Sequence, residues 1–526
     1  LIAAATDCLC HFAASSSFYN GSERGLPVVL EFQTNSTVAM PNMISKRIVG
    51  LLAMLGFPLV FAGCAVEPAP EAFEPNLVHA MKYQIQNDLP MEQASIDSSW
   101  VVTTMFGTPD EPRLPEVVLQ DESLSKLVST DHLLRASGPE DVPGRGLYRL
   151  LCGSCHGVTG NGRGPVGAAQ VPYPRDYRMG LFKFKTTPRG AKPTKEDLKR
   201  LIKHGIAGTN MTDVQQLLAL EKLKRGDSAP WLPESISDED VDALVDYVIY
   251  LSWRGEHERQ QIDLGILEGV LEGGERLIDS DFGGLIGWEN RDARKSWLER
   301  IDQLAAKEEA SLSETEKLEL EQAEKFRENW GYAEEYATSI GEAWLEAADQ
   351  VLEVPEPPTD LPLAESYADV LKFRASDQAA AFEASVTRGR ELFVGKVAAC
   401  SKCHGEQGLG NGQTTDYDDW TKDWTSRVGL KPENLDSLVP LLARGAMPPL
   451  NAVPRNFAEG VFRGGSSSQD LFRRITQGID GSPMPASTFV EGEYEQQDVW
   501  HLINFIRSLQ TSEAAATSPE PPAQAI

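Results

Sequence analysis

The sequence predicts an all-α protein: two tandem copies of one small helical unit, joined by a helical insertion and a proline linker. Three observations carry this. The pattern C-x-x-C-H occurs at Cys152–His156 and again at Cys400–His404. Four sequence blocks repeat around it in the same order. Where those blocks are not loops, apolar residues recur at three- and four-residue steps, the spacing of one helical face.

The blocks fix the order of elements. "GRGLY" (Gly144–Tyr148) and "GRELF" (Gly389–Phe393) precede the two motifs. "PRDYRMGLFK" (Pro174–Lys183) and "PRNFAEGVFR" (Pro454–Arg463) follow them. Next come "DLKRLIKHGIAGTNM" (Asp197–Met211) and "DLFRRITQGIDGSPM" (Asp470–Met484), with the same Asp-to-Met spacing. Last are "DVDALVDYVIYL" (Asp240–Leu251) and "DVWHLINFIRSL" (Asp498–Leu509). Leu244, Val248 and Leu251 make one apolar stripe; Val499, Leu502, Ile503 and Ile506 make the other. Asp240 and Asp498 stand where N-caps or first-turn acids belong. Each copy thus reads as helix, motif, loop, helix, Met loop and closing helix.

Composition sets the outer limits. A chain of 526 residues is long enough for two to four domains. Its net charge of -29 argues against nucleic acid as a partner, because phosphate binding needs basic surface. "MISKRIVGLLAMLGFPLVFAGC" (Met43–Cys64) has the layout of a secretory signal, with Lys46 and Arg47 before a short apolar run and Ala62-Gly63 before Cys64. It resembles a bacterial lipoprotein signal, which implies lipidation of Cys64, a membrane anchor and a periplasmic location. Phe61 departs from the usual Leu of that pattern. Residues 1–42 are expected to be a non-native upstream extension. Cys8, Cys10 and His11 lie there as C-x-C-H, one residue too short for the repeated pattern. Without residues 1–63, Cys64 and the two motifs hold every remaining cysteine, so no structural disulfide is expected.

On one helical turn, residues i, i+3 and i+4 share a face. Cys152, Cys155 and His156 therefore point one way, as do Cys400, Cys403 and His404. Two such thiols can attach the vinyl groups of one haem, and the His can ligate its iron; the pattern is the c-type attachment signature. A zinc half-site would need four ligands together. A redox dithiol would not need the His. Two covalent haem c groups are the expected cofactors.

With motif and blocks together, residues 140–255 and 383–510 resemble class I c-type cytochrome domains. The resemblance implies two helices crossing beside each haem and a Met from a late loop as second axial ligand. It assigns Met211 to the first iron and Met484 to the second. "GSPMPAS" fits the family loop; "GTNMTDV" lacks the proline after the Met. Met179, Met447 and His204 are rival ligands. Arg175 and Arg455 occupy matching places, where a guanidinium could pair with a haem propionate or serve as an ordinary surface Arg.

The remaining segments carry no chemistry of their own. An N-terminal extension (64–139) contains a turn-rich stretch, Phe106–Glu116, expected to pack on the first domain. A charged helical insertion (256–353) has a capping box at Ser313 and Glu316. It has one apolar face through Phe326, Trp330, Ala333, Ile340 and Trp344. A helical hairpin packed on a haem domain is expected, with a partner-binding arm as the alternative. A linker (354–382) and a disordered tail (511–526) complete the chain. From Arg178 to Lys203, nine Lys or Arg face only Glu196 and Asp197, which suggests docking of an acidic redox partner; a solvated face that balances the haem propionates is the alternative. The expected function is electron transfer, as a carrier or subunit of a membrane respiratory chain with other redox proteins as partners. The alternative is a di-haem peroxidase-like enzyme with one open iron.

Overall fold

Seventeen α-helices and no β-strand form among the described residues, 72–267, 276–278, 290–413 and 415–511 of a computed structural model. These residues belong to one unit, Pro68–Ile526. The upstream segment, the signal, Cys64 and the tail beyond Thr511 lie outside the described residues. The N-terminal segment holds α1 (Leu77–Asn87), α2 (Glu92–Phe106) and α3 (Glu116–Gln120). The first copy has α4 (Thr130–Ala136), α5 (Ser154–His156), α6 (Lys195–His204), α7 (Val214–Arg225) and α8 (Asp238–Leu267). The insertion has α9 (Arg291–Ala305) and α10 (Glu314–Leu345), and α11 (Tyr367–Arg374) follows. The second copy has α12 (Ala379–Val394), α13 (Ser401–His404), α14 (Asp419–Trp424), α15 (Leu435–Leu442), α16 (Ser468–Gln477) and α17 (Val499–Ser508).

In the second copy α12 crosses α17. The expected stripe Val499, Leu502, Ile503 and Ile506 is buried there with Phe393 and Phe505. Full burial of each such side chain contributes about 1.5–3 kcal/mol. The helices meet backbone to side-chain stub: a Cβ on Gly389 would lie 2.0 Å from the His501 carbonyl oxygen. Asn504, buried beside the crossing, donates from Nδ2 to the Pro362 carbonyl (3.0 Å) and to Ser385 Oγ (2.9 Å). Its Oδ1 accepts from Ala364 N at 3.0 Å. That amide ties the proline stretch to the domain. The stretch expected as a linker, 354–382, therefore folds onto the second copy: it contains α11 and the first turn of α12, and buries Val370 and Phe382.

The first copy departs from the expected single leading helix. Its counterpart is split into α4 and a second helical segment that starts at Leu147 and reaches His156. Pro139 and Pro143 and positive φ at Gly138, Gly144 and Gly146 break the ladder between them. Gly146 N closes the break onto the Ser137 carbonyl at 2.8 Å. α4 still packs across α8. Arg135 on α4 holds Asp240 in the first turn of α8 at 2.6 Å. Arg388 on α12 holds Asp498 in front of α17 at 2.9 Å, the same pairing in the second copy.

α8 runs on beyond the first copy and receives the insertion. α10 starts at the expected Ser313/Glu316 capping box. Phe326, Ala333, Ile340 and Trp344 are buried, and Trp330 is partly so. Ala333, Ala337 and Gly341, four residues apart, make a shallow groove on α10. Trp253 donates Nε1–H to the Ala337 carbonyl (2.8 Å), and His257 Nε2 meets the Ala333 carbonyl (2.8 Å). A Cβ on Gly341 would sit 2.5 Å from the Trp253 ring. The N-terminal segment reaches both copies. Its turn at Phe106–Pro112 is held by Arg113 N on the Phe106 carbonyl, 2.7 Å, and Arg149 reaches Asp110. α1 lies against α8 through His79–Asp263 (2.6 Å) and against α14 through Lys82–Asp423 (3.1 Å).

Gly389→Ala should overpack the α12–α17 crossing and destabilise the second copy by about 1–3 kcal/mol. A denaturant titration would register this as a lowered midpoint; an unmoved midpoint would show that the helices can part without cost.

Candidate haem sites and the face between them

Each C-x-x-C-H motif ends on a short helical turn, α5 or α13, so its two thiols and imidazole share one side. Cys152 and Cys400 face the apolar cores of their own copies. Burial pushes the Cys152 thiol up to about 12 and the Cys400 thiol to about 11. The two cysteine pairs stay in separate copies. No group of three His, Cys, Asp or Glu able to hold a bare ion assembles among the described residues.

Both histidines are fixed in the same way. His156 Nδ1 meets the Arg175 carbonyl at 3.1 Å; His404 Nδ1 meets the Arg455 carbonyl at 3.4 Å. Since a carbonyl only accepts, each Nδ1 carries the proton and each Nε2 keeps its lone pair. His156 stacks on Tyr177 (4.9 Å, 12°) and His404 on Phe457 (4.7 Å, 17°). Burial pulls the His156 pKa down to about 4, against the Arg175 hydrogen bond, and lowers His404 too. Tyr177 and Phe457 were not among the expected site residues. Their signal was an aromatic at the same place in both "PR" blocks.

The Met loops repeat bond for bond. Ile206 N reaches the Met211 carbonyl at 2.7 Å, and Ile479 N the Met484 carbonyl at 3.1 Å. Met211 N meets Thr209 Oγ1 at 3.2 Å; Met484 N meets Ser482 Oγ at 3.3 Å. A Cβ on Gly205 would lie 2.4 Å from the Met211 oxygen, and one on Gly478 2.6 Å from the Met484 oxygen. Both glycines have φ near +70°, which L side chains rarely adopt: 68° and 72°. The missing proline after Met211 thus does not change the turn. Among the rivals, Met179 and Met447 line a cleft between the two copies, and His204 ends α6.

The residues present fit covalent haem. A pair of thiols and a neutral imidazole stand on one face, twice. Donors also remain for carboxylates: Arg455 Nε and Arg463 Nε are buried without a partner. Arg455 Nη2 meets Glu459 at 3.1 Å. The Arg175 guanidinium makes no hydrogen bond or ion pair among the described residues and lies 3.3 Å over the Trp420 ring.

The basic stretch, expected to dock an acidic partner, also has partners inside the chain. All nine cations are used within the chain. Lys195, Lys199 and Lys203 on α6 pair with Asp246, Asp242 and Asp238 on α8, each at 2.6 Å. The four-residue spacing on both antiparallel helices makes this a ladder. Lys192 pairs with Glu256, and Arg178 with Asp176 at 2.7 Å. The other four cross to the second copy. Lys183 reaches Asp418 (3.4 Å), Lys185 reaches Asp480 (2.8 Å) and Arg200 reaches Asp470 (2.8 Å). Arg189 donates to the carbonyls of Met484 (3.2 Å) and Ile479 (3.4 Å) in the second Met loop. In return Arg463 donates to the Gly208 carbonyl of the first Met loop at 3.3 Å. Each Met loop is thus gripped by an arginine from the other copy.

The sequence model of the cytochrome c family matches residues 142–252 and 386–510. Fold and site therefore define two helical units, each with a haem-attachment motif, and these two segments are similar to cytochrome c domains, a class for which covalently bound haem c is the implied cofactor. No curated protein matches the chain. Among solved structures, a chain of the Kuenenia stuttgartiensis reducing HAO-like protein complex is similar. It is 19% identical, with 69% of this chain and 94% of that chain covered and a TM-score of 0.33. Among the described residues no helix is long and apolar enough to cross a membrane.

Two outcomes follow for the interdomain face. Lys185 and Asp480 are both buried, with side chains 4% and 7% exposed. Lys185→Met should strand the carboxylate and destabilise the contact by about 3 kcal/mol, read as a lower unfolding midpoint. Burial alone would raise Asp480, Asp470 and Asp423. Lys185 with Gly190 N, Arg200, and Arg259 with Lys82 outweigh it and hold all three below the ordinary carboxylate range. Depressed carboxylates stabilise the fold above their unfolded pKa of about 4 and lose that contribution as pH falls through the folded values. Small-angle scattering should then show the domains parting only below about pH 4; parting near pH 6 would mean other groups hold them.

Proposed function

We propose that the chain is a di-haem electron carrier, exported to the outer face of a bacterial membrane and serving a respiratory chain. The reading gives His156 and Met211 to one iron and His404 and Met484 to the other, with Cys152, Cys155, Cys400 and Cys403 as covalent tethers. The observation that carries it is the bond-for-bond identity of the two Met loops and the two His–carbonyl contacts. Bound haem supplies the one-electron ferrous/ferric couple. The chain does the rest. The Arg175 and Arg455 carbonyls hold each imidazole in one tautomer, with Nε2 free to ligate. Tyr177 and Phe457 stop those rings from turning. Met211 and Met484, if they hold the irons, would be soft thioether partners that favour the reduced state. A His and a Met holding each iron would leave no place on the metal for a substrate. The apolar cores around Cys152 and Cys400 keep water out. A lipid at Cys64 would hold the carrier at the membrane surface.

Optical spectra of the oxidised, reduced and carbon monoxide-treated reduced protein test this. Two haems per chain, low-spin and unmoved by carbon monoxide, are expected. One site shifting under carbon monoxide would replace the carrier with an enzyme that opens one metal, as di-haem peroxidases do.

A further inference from the structure

We propose that Trp420 is the bridge through which electrons pass between the two haem sites. The inference rests on the carrier reading and adds a specific residue to it. Trp420 lies on α14 of the second domain, yet three of its contacts belong to the first. Its Nε1–H donates to the Asp176 carbonyl at 3.0 Å. The Arg175 guanidinium covers its ring at 3.3 Å. Lys183 Nζ stands 5.3 Å from the ring centre. The opposite edge of the indole enters the second Met loop. A Cβ on Gly481 would fall 2.2 Å from the Trp420 ring, so only a bare glycine lets the ring in. Asp419 N also bonds the Gly481 carbonyl, at 3.1 Å.

These contacts join end to end. His156 donates to the Arg175 carbonyl. Arg175 stacks on Trp420. Trp420 abuts Gly481, three residues before Met484. The ligand side of one site is thereby linked to the ligand loop of the other through one hydrogen bond and two van der Waals contacts. Two features make the indole suited to this place. It is the large aromatic ring inserted between the "PR" block of one domain and the Met loop of the other. The Arg175 cation on its face also holds the ring in place by cation–π attraction. In the transfer, one electron leaves the reduced iron, which becomes ferric, and reaches the oxidised iron, which becomes ferrous. No proton or atom moves, and Trp420 ends unchanged.

The test uses the full haem-loaded chain as wild type, Trp420→Phe and Trp420→Ala. Proton exchange spectroscopy of half-reduced protein, taken at several concentrations, separates internal from intermolecular transfer. Haem content, both midpoint potentials and the melting midpoint are measured beside it. The internal rate should fall severalfold in Trp420→Ala and less in Trp420→Phe, which keeps a ring, with potentials and haem content unmoved. An unchanged rate in Trp420→Ala with both haems present would overturn the bridge. So would equal losses in both variants that track a fall in melting midpoint, since packing would then explain them. If the wild type itself holds fewer than two haems, the carrier reading falls instead; two haems with no internal transfer would overturn the bridge alone.

Discussion

The structure depends on one constraint: the loop and helix after the first motif carry more positive charge than water would be left to solvate. Nine cations lie between Arg178 and Lys203, and acids of α8 and of the second domain partner seven of them, Asp176 and the second Met loop's carbonyls the other two. Exposed pairs of this kind contribute about 0–1 kcal/mol each. The Lys203–Asp238 end of the ladder is of that sort. The interdomain end is different. Lys185, Asp480 and Asp470 are largely removed from water, where an unpaired charge is far costlier than a pair is favourable. The ladder aligns α6 on α8; the buried pairs fix where the second domain can sit. Positioning, more than net stability, is what these charges provide.

That geometry has a consequence for the Met loops. Each loop is closed by two backbone bonds at Ile206 or Ile479 and by the hydroxyl of Thr209 or Ser482. Arg189 and Arg463 each add carbonyl contacts from across the interface. Each loop is thus held both from within and from the other domain. The N-terminal segment adds a second strap, because α1 carries His79 toward Asp263 on α8 and Lys82 toward Asp423 on α14. The extension, the basic stretch and α8 thus share one task, which is to hold two haem domains in a single arrangement.

What the sequence disclosed and what it hid divide along contact distance. The motifs, the Met spacing, the Ser313/Glu316 box and the closing-helix stripes depend on residues a few positions apart. Local periodicity reports such features directly. The partners of the basic stretch do not show in that way: Lys185 and Asp480 are 295 positions apart, and Arg200 and Asp470 are 270 apart. Read alone, the stretch looks like a surface waiting for another molecule. Read with its acids, it also forms a seam within the chain. The proline stretch misled for the same reason, since Asn504, which captures it, lies 142 positions from Pro362. Trp420 falls outside both repeats' shared blocks, so comparison of the copies could not single it out.

The two copies also show which part of the unit is indispensable. The leading helix is not: in the first copy it is cut by Ser137–Gly146, and ten residues of irregular chain stand where α12 runs unbroken. What survives is a set of bonds. Arg135–Asp240 and Arg388–Asp498 tie the first helix to the closing one. The His–carbonyl contact, the aromatic stacked on the His ring and the Met-loop turn recur in both. Every one of these fixes a group that faces the haem space or the helix crossing beside it. A break placed between Arg135 and Leu147 leaves all of them intact, since it falls after the ion pair and before the segment that carries the cysteines. The fold tolerates a changed helix away from the His and Met loops, and it repeats its hydrogen bonds within them.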